Sequence, residues 1–268
     1  MANDPIAEFK TKQRETWAMG NFGDMAVFTA IPAAHLVRLA GVRSGQAVLD
    51  VGTGTGVVAI TAGRLGAKVT GLDLTPELLE QAKRSAPVAG LSDIAWKEGD
   101  AEALPFPDAS FDVVLSQFGH MFAPRPEVAT KEMLRVLKPG GRIAFATWPP
   151  EQFIGRSFAL AGKYVPPPQG VAPPIQWGDV AVVQQRLAAS VKDLFFERGI
   201  MGVPTLSPEH LLEFQTQKLG PFIRTLKALE KDSAKLAAYR KESGELIAAY
   251  TVDNVVRHEY LLTRATKA

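Results

Sequence analysis

Cysteine is absent from the 268 residues of this chain, which excludes disulfides, thiolate metal ligands and a cysteine nucleophile. Long apolar runs are also absent, since charged residues are spread through the first twenty positions and no later stretch approaches the length of a membrane span. The 30 basic and 28 acidic residues leave a net charge of only +2, so no strong field favours nucleic acid or anionic lipid. We therefore expect a cytoplasmic protein with no membrane span and no nucleic-acid partner.

Histidine is scarce, with four residues in the whole chain. None of them shows the spacing of a metal-binding pair, and no carboxylate grouping accompanies them, so we expect no metal site. Hydrophobic residues, at 46% of the sequence, are plentiful enough to form a sizeable core in one or two domains.

Residues 47–56, with the sequence AVLDVGTGTG, form the most informative stretch. A short apolar strand ends in three alternate glycines, after which a helix begins near Val57. Glycine permits positive φ and close backbone approach, and the start of a helix presents free N–H groups. A dinucleotide fingerprint would need glycine at position 57. Asp50, two residues before the first glycine, would repel a pyrophosphate and attract a cation. The stretch favours a cofactor turn, with a plain β-to-α turn as the alternative.

Strands and helices alternate from residue 47 to residue 147. Further strands are predicted at 67–72, 94–97, 111–116 and 142–147, with a helix stop and a tight turn at 138–141 before the last of them. Five β/α units in this order predict an α/β fold with a Rossmann-like, doubly wound, mostly parallel sheet. Ligands of such sheets bind beyond the carboxyl ends of the strands. Five residues are expected at that edge: Asp50, Gly52, Asp73, Asp100 and Ser116.

Asp73 follows the second predicted strand, 17 residues beyond Gly56. A carboxylate in this position can accept hydrogen bonds from both hydroxyls of a ribose. The alternative is a carboxylate that serves only the turn or the start of the next helix, for which Thr75 is the expected cap.

The segments on either side of this core are predicted to cover it. Before it, a helix starts at the cap Asp4 and stops at Gly20, and a second spans 32–40. Residues 17–23, rich in aromatics and glycine, suit either a flap over a ligand or a helix corner. After the core, a proline-rich and aromatic cover precedes a helix, a strand, a long helical stretch and a final strand.

We therefore expect one domain over residues 1–268. It comprises N-terminal helices (1–46), the β/α core (47–147), two helical lid insertions (148–190 and 204–250) and two final strands (191–203 and 252–264). The final strands complete a seven-stranded sheet whose last strand is antiparallel.

Four motifs together resemble those of the class I S-adenosylmethionine-dependent methyltransferases. They are VLDVGTGTG at 48–56, Asp73, GDAEALPFPDASFD at 99–112 and LKPGG at 137–141. The resemblance runs over residues 35–147 and is greatest to the small-molecule branch that includes ubiquinone and menaquinone C-methyltransferases. It implies S-adenosylmethionine as the cofactor and a small-molecule acceptor.

The resemblance also implies which positions bind the cofactor. The three glycines would cradle its methionine and ribose parts, Asp73 would hold the ribose, and Asp100 would accept the adenine amino group. Ser116 and Gln117 would lie near the methionine amine, Leu74 would pack on adenine beside Ala101, and Trp17 would close over the site. The full set is Trp17, Asp50, Gly52, Thr53, Gly54, Gly56, Asp73, Leu74, Asp100, Ala101, Glu102, Ser116 and Gln117.

The expected reaction is methyl transfer by in-line displacement to a small, partly apolar acceptor. His120, after the fourth strand, is the candidate catalytic or substrate-contacting residue, and a loop histidine with no such role is the alternative. His258 is expected to be structural or exposed. Two other functions stay open, namely a cofactor-binding protein without transferase activity and a methyltransferase that acts on a macromolecule. The sequence leaves the acceptor atom and the oligomeric state undetermined.

Overall fold

The computed structural model describes residues 4–268. The chain begins with α1 (Pro5–Ala18), and Asp4 caps it by accepting the N–H of Ile6 at 3.0 Å. A short 3-10 turn, Phe22–Met25, leads into α2 (Ala26–Ala40). This second helix starts six residues before the predicted position, because Pro32 lies inside it. The fixed φ of proline is compatible with a helix, although the ring removes one backbone hydrogen bond and crowds the carbonyl group four residues earlier.

The core alternates strands and helices in the predicted order. Its elements are β1 (Ala47–Val51), α3 (Val57–Gly63), β2 (Lys68–Asp73), α4 (Pro76–Val88), β3 (Ala95–Glu98), β4 (Phe111–Gln117), α5 (Pro126–Val136) and β5 (Leu137–Thr147). The middle strands are buried on both faces, as in other parallel sheets covered by helices on both sides.

The second half of the chain adds helices and the remaining strands. These elements are α6 (Phe153–Tyr164), α7 (Val180–Leu187), β6 (Val191–Pro204), α8 (Pro208–Lys218), α9 (Gly220–Leu229), α10 (Ser233–Ala249), β7 (Thr251–Val252) and β8 (Val255–Lys267). The long helical stretch predicted after β6 is thus three separate helices. Within residues 4–268, no helix combines the length and the apolar character that crossing a bilayer requires.

The strands form one sheet in the order β3-β2-β1-β4-β5-β8-β6. β1 to β5 are parallel, whereas β8 pairs antiparallel with both β5 and β6. This confirms the predicted Rossmann-like fold with seven strands and an antiparallel last strand, to which β7 adds a two-residue pairing with β8. Because β8 runs in the opposite direction, its beginning lies at the sheet edge where the parallel strands end.

Residues 137–141 depart from the predicted helix stop and turn. They already belong to β5, since Leu137 pairs with Phe111 and the pairing then shifts register before Arg142 meets Val113. The extra residues bulge out of the ladder, and Gly140 adopts a positive φ of 71° there. The glycines that suggested a turn instead accommodate an irregular strand.

Candidate functional site

The glycine turn after β1 packs backbone to backbone against the loop after β4. A Cβ on Gly52 would lie 2.8 Å from the Cα of Gly119, and a Cβ on Gly119 would lie 2.6 Å from the carbonyl oxygen of Gly52. No side chain fits at either position. Gly54 differs, because a Cβ there would have no atom within 4 Å, and this residue lines a cavity. Of these glycines, Gly54 leaves open space for a ligand.

The cavity lies at the carboxyl edge of the sheet and has a volume of about 290 Å³. Most residues predicted for the site line it, namely Trp17, Asp50, Gly52, Thr53, Gly54, Asp73, Leu74, Asp100, Ala101, Gln117 and His120. Gly56, Glu102 and Ser116 do not belong to its lining. Gly56 packs against the ring of Trp96. Ser116 donates to the carbonyl of Val51 at 2.6 Å and accepts the N–H of His120 at 3.0 Å, so it fixes the loop after β4.

Asp50 is buried at the centre of the turn. Its Oδ2 accepts hydrogen bonds from the Thr53 hydroxyl at 2.6 Å and from the Ala59 N–H at 3.1 Å. Its Oδ1 has no partner among residues 4–268. Burial raises the pKa of Asp50 to about 7, the two hydrogen bonds oppose this rise, and the nearby Asp73 carboxylate adds to it. The site therefore contains a buried acid that a cationic ligand would keep ionised.

Asp73, the last residue of β2, holds two backbone groups. Its Oδ2 accepts the N–H of Gly54 at 2.8 Å and its Oδ1 accepts the N–H of Thr75 at 2.9 Å. Burial raises its pKa, and these two backbone hydrogen bonds oppose the rise. Thr75 makes no side-chain cap to α4, so Asp73 serves the start of that helix instead. Each carboxylate oxygen keeps a second acceptor position for a ligand.

A charged cluster closes one end of the cavity. Lys10 of α1 contacts Asp100 at 2.5 Å and Glu102 at 2.6 Å, and Arg125 contacts Glu102 at 2.7 Å. The Glu102 side chain is fully buried, so both cations compensate its charge. Lys10 was not among the predicted site residues, because it lies 90 residues from Asp100 in the sequence and belongs to no motif.

The part of the cavity that is lined by the predicted lid segments, here called the lid end, is largely apolar. Phe118, after β4, stacks on Trp148 with ring centroids 3.7 Å apart and planes 11° from parallel. Near the charged end, Trp17 contacts the rings of Phe22 and Phe122 at 5.3 and 4.8 Å. The segments predicted as a lid, together with β6, supply a further set of apolar lining residues, namely Ile154, Phe158, Met201, Val203, Leu211, Phe214, Leu219, Pro221 and Phe222.

Two histidines at this edge are buried. The ring of His120 packs against Phe145 and Trp177, each at 4.6 Å, and burial lowers its pKa to about 3. Its imidazole is thus an uncharged group among aromatic rings rather than a solvated loop side chain. His258, at the start of β8, also lines the cavity and is 3% exposed. Its place in the lining was not expected, because it depends on β8 pairing between β5 and β6, which are distant from it in the sequence.

Comparison with known proteins gives consistent similarities. A family model described as a methyltransferase domain matches residues 49–145. An uncharacterized protein of Mycobacterium tuberculosis is 36% identical over 260 residues, which cover 96% of this chain and 94% of that protein. A demethylmenaquinone methyltransferase of Tropheryma whipplei is 37% identical over 146 residues, or 53% of this chain and 60% of that enzyme. The YcgJ protein of Bacillus subtilis shares the fold, with a TM-score of 0.60, 20% identity and coverage of 88% and 97%.

Proposed function

Because the chain belongs to the class I S-adenosylmethionine-dependent methyltransferases, we propose that it methylates a small, partly apolar molecule by in-line displacement. S-adenosylmethionine is its cofactor.

The turn and the strand ends fit that cofactor. The open space at Gly54 leaves room for the methionine and ribose parts of the cofactor. The unpartnered Oδ1 of Asp50 suits a positively charged ligand. Gln117 adds a buried side-chain oxygen that has no partner among the described residues. We assign Asp73 to the ribose hydroxyls and Asp100 to the adenine amino group. Acidic groups therefore surround this end of the site, as a sulfonium and an ammonium require.

The distribution of charge in the cavity supports the acceptor class. The lysine and carboxylate side chains in the described lining are Lys10, Asp50, Asp73 and Asp100. All four belong to the cofactor end, and the lid end presents mostly aromatic and aliphatic side chains together with the uncharged polar residues Gln215 and His258. A charged acceptor would lose its hydration there without gaining an ion pair. An uncharged, largely apolar acceptor would instead gain contact area with the rings.

When bound, the cofactor would supply an electrophilic methyl group attached to a sulfonium sulfur, which is the leaving group of an in-line displacement. The protein's own contribution is placement and the exclusion of water. The aromatic wall around Phe118 and Trp148 holds the acceptor, and the backbone packing of Gly52 on Gly119 fixes the loop beside it. An acceptor that reacts at O–H or C–H must also release a proton. His120, which is uncharged near neutral pH, is the residue proposed to contact the acceptor where this proton is released.

The test uses purified protein and labelled cofactor. Calorimetry should show binding of S-adenosylmethionine, with NAD as the comparison ligand. Methyl-labelled cofactor is then added to a cell extract separated into apolar metabolites, polar metabolites, RNA and protein. Label in the apolar metabolites is the expected result. Label in RNA or protein would contradict the acceptor class, and cofactor binding without any labelled product would favour a protein that binds the cofactor but transfers nothing.

A further inference from the structure

His258 stands out as a polar side chain in the apolar end of the cavity. It lies in β8 opposite Met201 of β6, and both residues line the cavity. The ring of Phe153 packs against the imidazole at a centroid distance of 4.8 Å, and the ring centroid of Trp148 lies 6.3 Å from it. The same Trp148 stacks on Phe118, so His258 continues the aromatic wall that begins beside the glycine turn.

Neither ring nitrogen of His258 has a hydrogen-bond partner among residues 4–268. A buried polar group without a partner costs free energy and calls for an explanation. A phenylalanine would fill the same place without that cost. The imidazole is therefore better explained by a partner that arrives with the acceptor.

We propose that His258 binds the acceptor by one hydrogen bond to a hydroxyl or carbonyl group, and that the acceptor is an uncharged, ring-shaped, mostly apolar molecule with such a group. This inference rests on the proposed function. Burial lowers the pKa of His258 to about 3, so near neutral pH the ring carries one N–H donor and one acceptor nitrogen. A neutral imidazole of this kind can pair with either an O–H or a C=O without introducing charge.

His258 thus has a different place from His120. The ring of His120 lies against Phe145 and Trp177, and the positive charge of Arg186 acts on it. His258 contacts the ring of Phe153 and lies near that of Trp148, in the wall formed with the lid. The structure therefore gives the acceptor end its own polar contact, separate from the candidate beside the glycine turn.

The experiment measures binding of 2-naphthol and naphthalene to protein saturated with S-adenosylhomocysteine. The two probes differ only in the hydroxyl group. The wild type should bind 2-naphthol at least tenfold more tightly than naphthalene. In His258→Phe this preference should fall to about twofold, with naphthalene affinity retained. His258→Gln, which keeps a donor and an acceptor, should restore part of the preference.

His210→Gln is the matched control, because His210 is exposed on α8 and outside the cavity lining. Equal affinity for S-adenosylhomocysteine and an equal melting temperature show that a variant is folded. A full preference for 2-naphthol in folded His258→Phe would overturn the proposal, as would failure of the wild type to bind either probe or to distinguish them. Failure of the wild type to bind S-adenosylhomocysteine would instead contradict the proposed function itself.

Discussion

The carboxylate of Asp73 accepts the N–H of Gly54 at 2.8 Å, so the last residue of β2 fixes the turn that follows β1. The same carboxylate accepts the N–H of Thr75 and thereby sets the start of α4. The loop that is proposed to face the cofactor is therefore held in place before any ligand binds. Such preorganisation reduces the ordering cost of binding.

Gly54→Ala should weaken S-adenosylmethionine binding at least tenfold, because the new methyl group would project into the space that faces the ligand. Gly90→Ala is the matched control. Both glycines have a positive φ, 55° and 78°, and both have open space around the Cβ position. Each substitution should cost about 1–2 kcal/mol of stability from the strained backbone. Calorimetry that shows the same cofactor affinity for both variants would contradict the cradle role of Gly54.

Asp73→Ala should weaken cofactor binding by roughly 1.5–3 kcal/mol, which is the scale of hydrogen bonds to a charged group. Part of the loss will come from releasing the Gly54 N–H, and Asp73→Asn should recover some of it. Glu77→Ala, an exposed acid in the first turn of α4, serves as the control. An unchanged dissociation constant in Asp73→Ala would remove this residue from the ribose site.

Asp50 should make the ligand-free protein less stable as the pH rises. Its pKa is about 7 in the folded chain against an ordinary value of 3.8, so between these pH values the folded state holds a proton that the unfolded state has lost. The stabilising contribution present below pH 4 should therefore decline up to pH 7, by at most about 4 kcal/mol.

Asp50→Asn tests this dependence. An amide oxygen in place of Oδ2 keeps the hydrogen bonds from Thr53 and Ala59, and the amide nitrogen takes the place of the unpartnered Oδ1. Urea unfolding at pH 4, 5.5 and 7.5 should show the variant gaining stability relative to wild type as pH increases. Parallel pH profiles would show that Asp50 does not titrate in this range. The variant should also bind the cationic cofactor more weakly.

Lys10→Ala should destabilise the protein by about 1–3 kcal/mol, because the buried Glu102 would keep only Arg125 as a partner. Lys12→Ala removes the ammonium of an exposed pair with Glu8 on the same helix and should change stability little. Chemical denaturation of both variants measures the difference. Equal losses would mean that the contacts of Lys10 with Asp100 and Glu102 contribute no more than a surface ion pair.

Local patterns in the sequence were enough to predict the alternation of strands and helices, the mostly parallel sheet with an antiparallel last strand, and the acids at its carboxyl edge. Gly54 and Asp73 belong to neighbouring β/α units, so their spacing in the sequence was enough to place both at the carboxyl edge of the sheet. Lys10 and His258 could not be found this way, because their contacts depend on how distant segments fold together. Pro32 shows a different limit, since a proline that usually starts a helix lies inside one here.

The position of His120 after β4 was also predictable, but its surroundings were not. The rings that bury it, Phe145 and Trp177, follow it in sequence by 25 and 57 residues. Whether a histidine titrates depends on such neighbours more than on its own motif. A role for His120 in catalysis remains a prediction.

The place of β8 in the sheet affects how the chain can fold during synthesis. β8 follows every other strand in sequence, yet it lies between β5 and β6. Until it emerges from the ribosome, β5 lacks its neighbour on that side and β6 has no strand to pair with in the described sheet. Unpaired strand edges are templates for association with other chains. A chain that stops before residue 255 would therefore be prone to aggregate, although its glycine turn and its five parallel strands are complete.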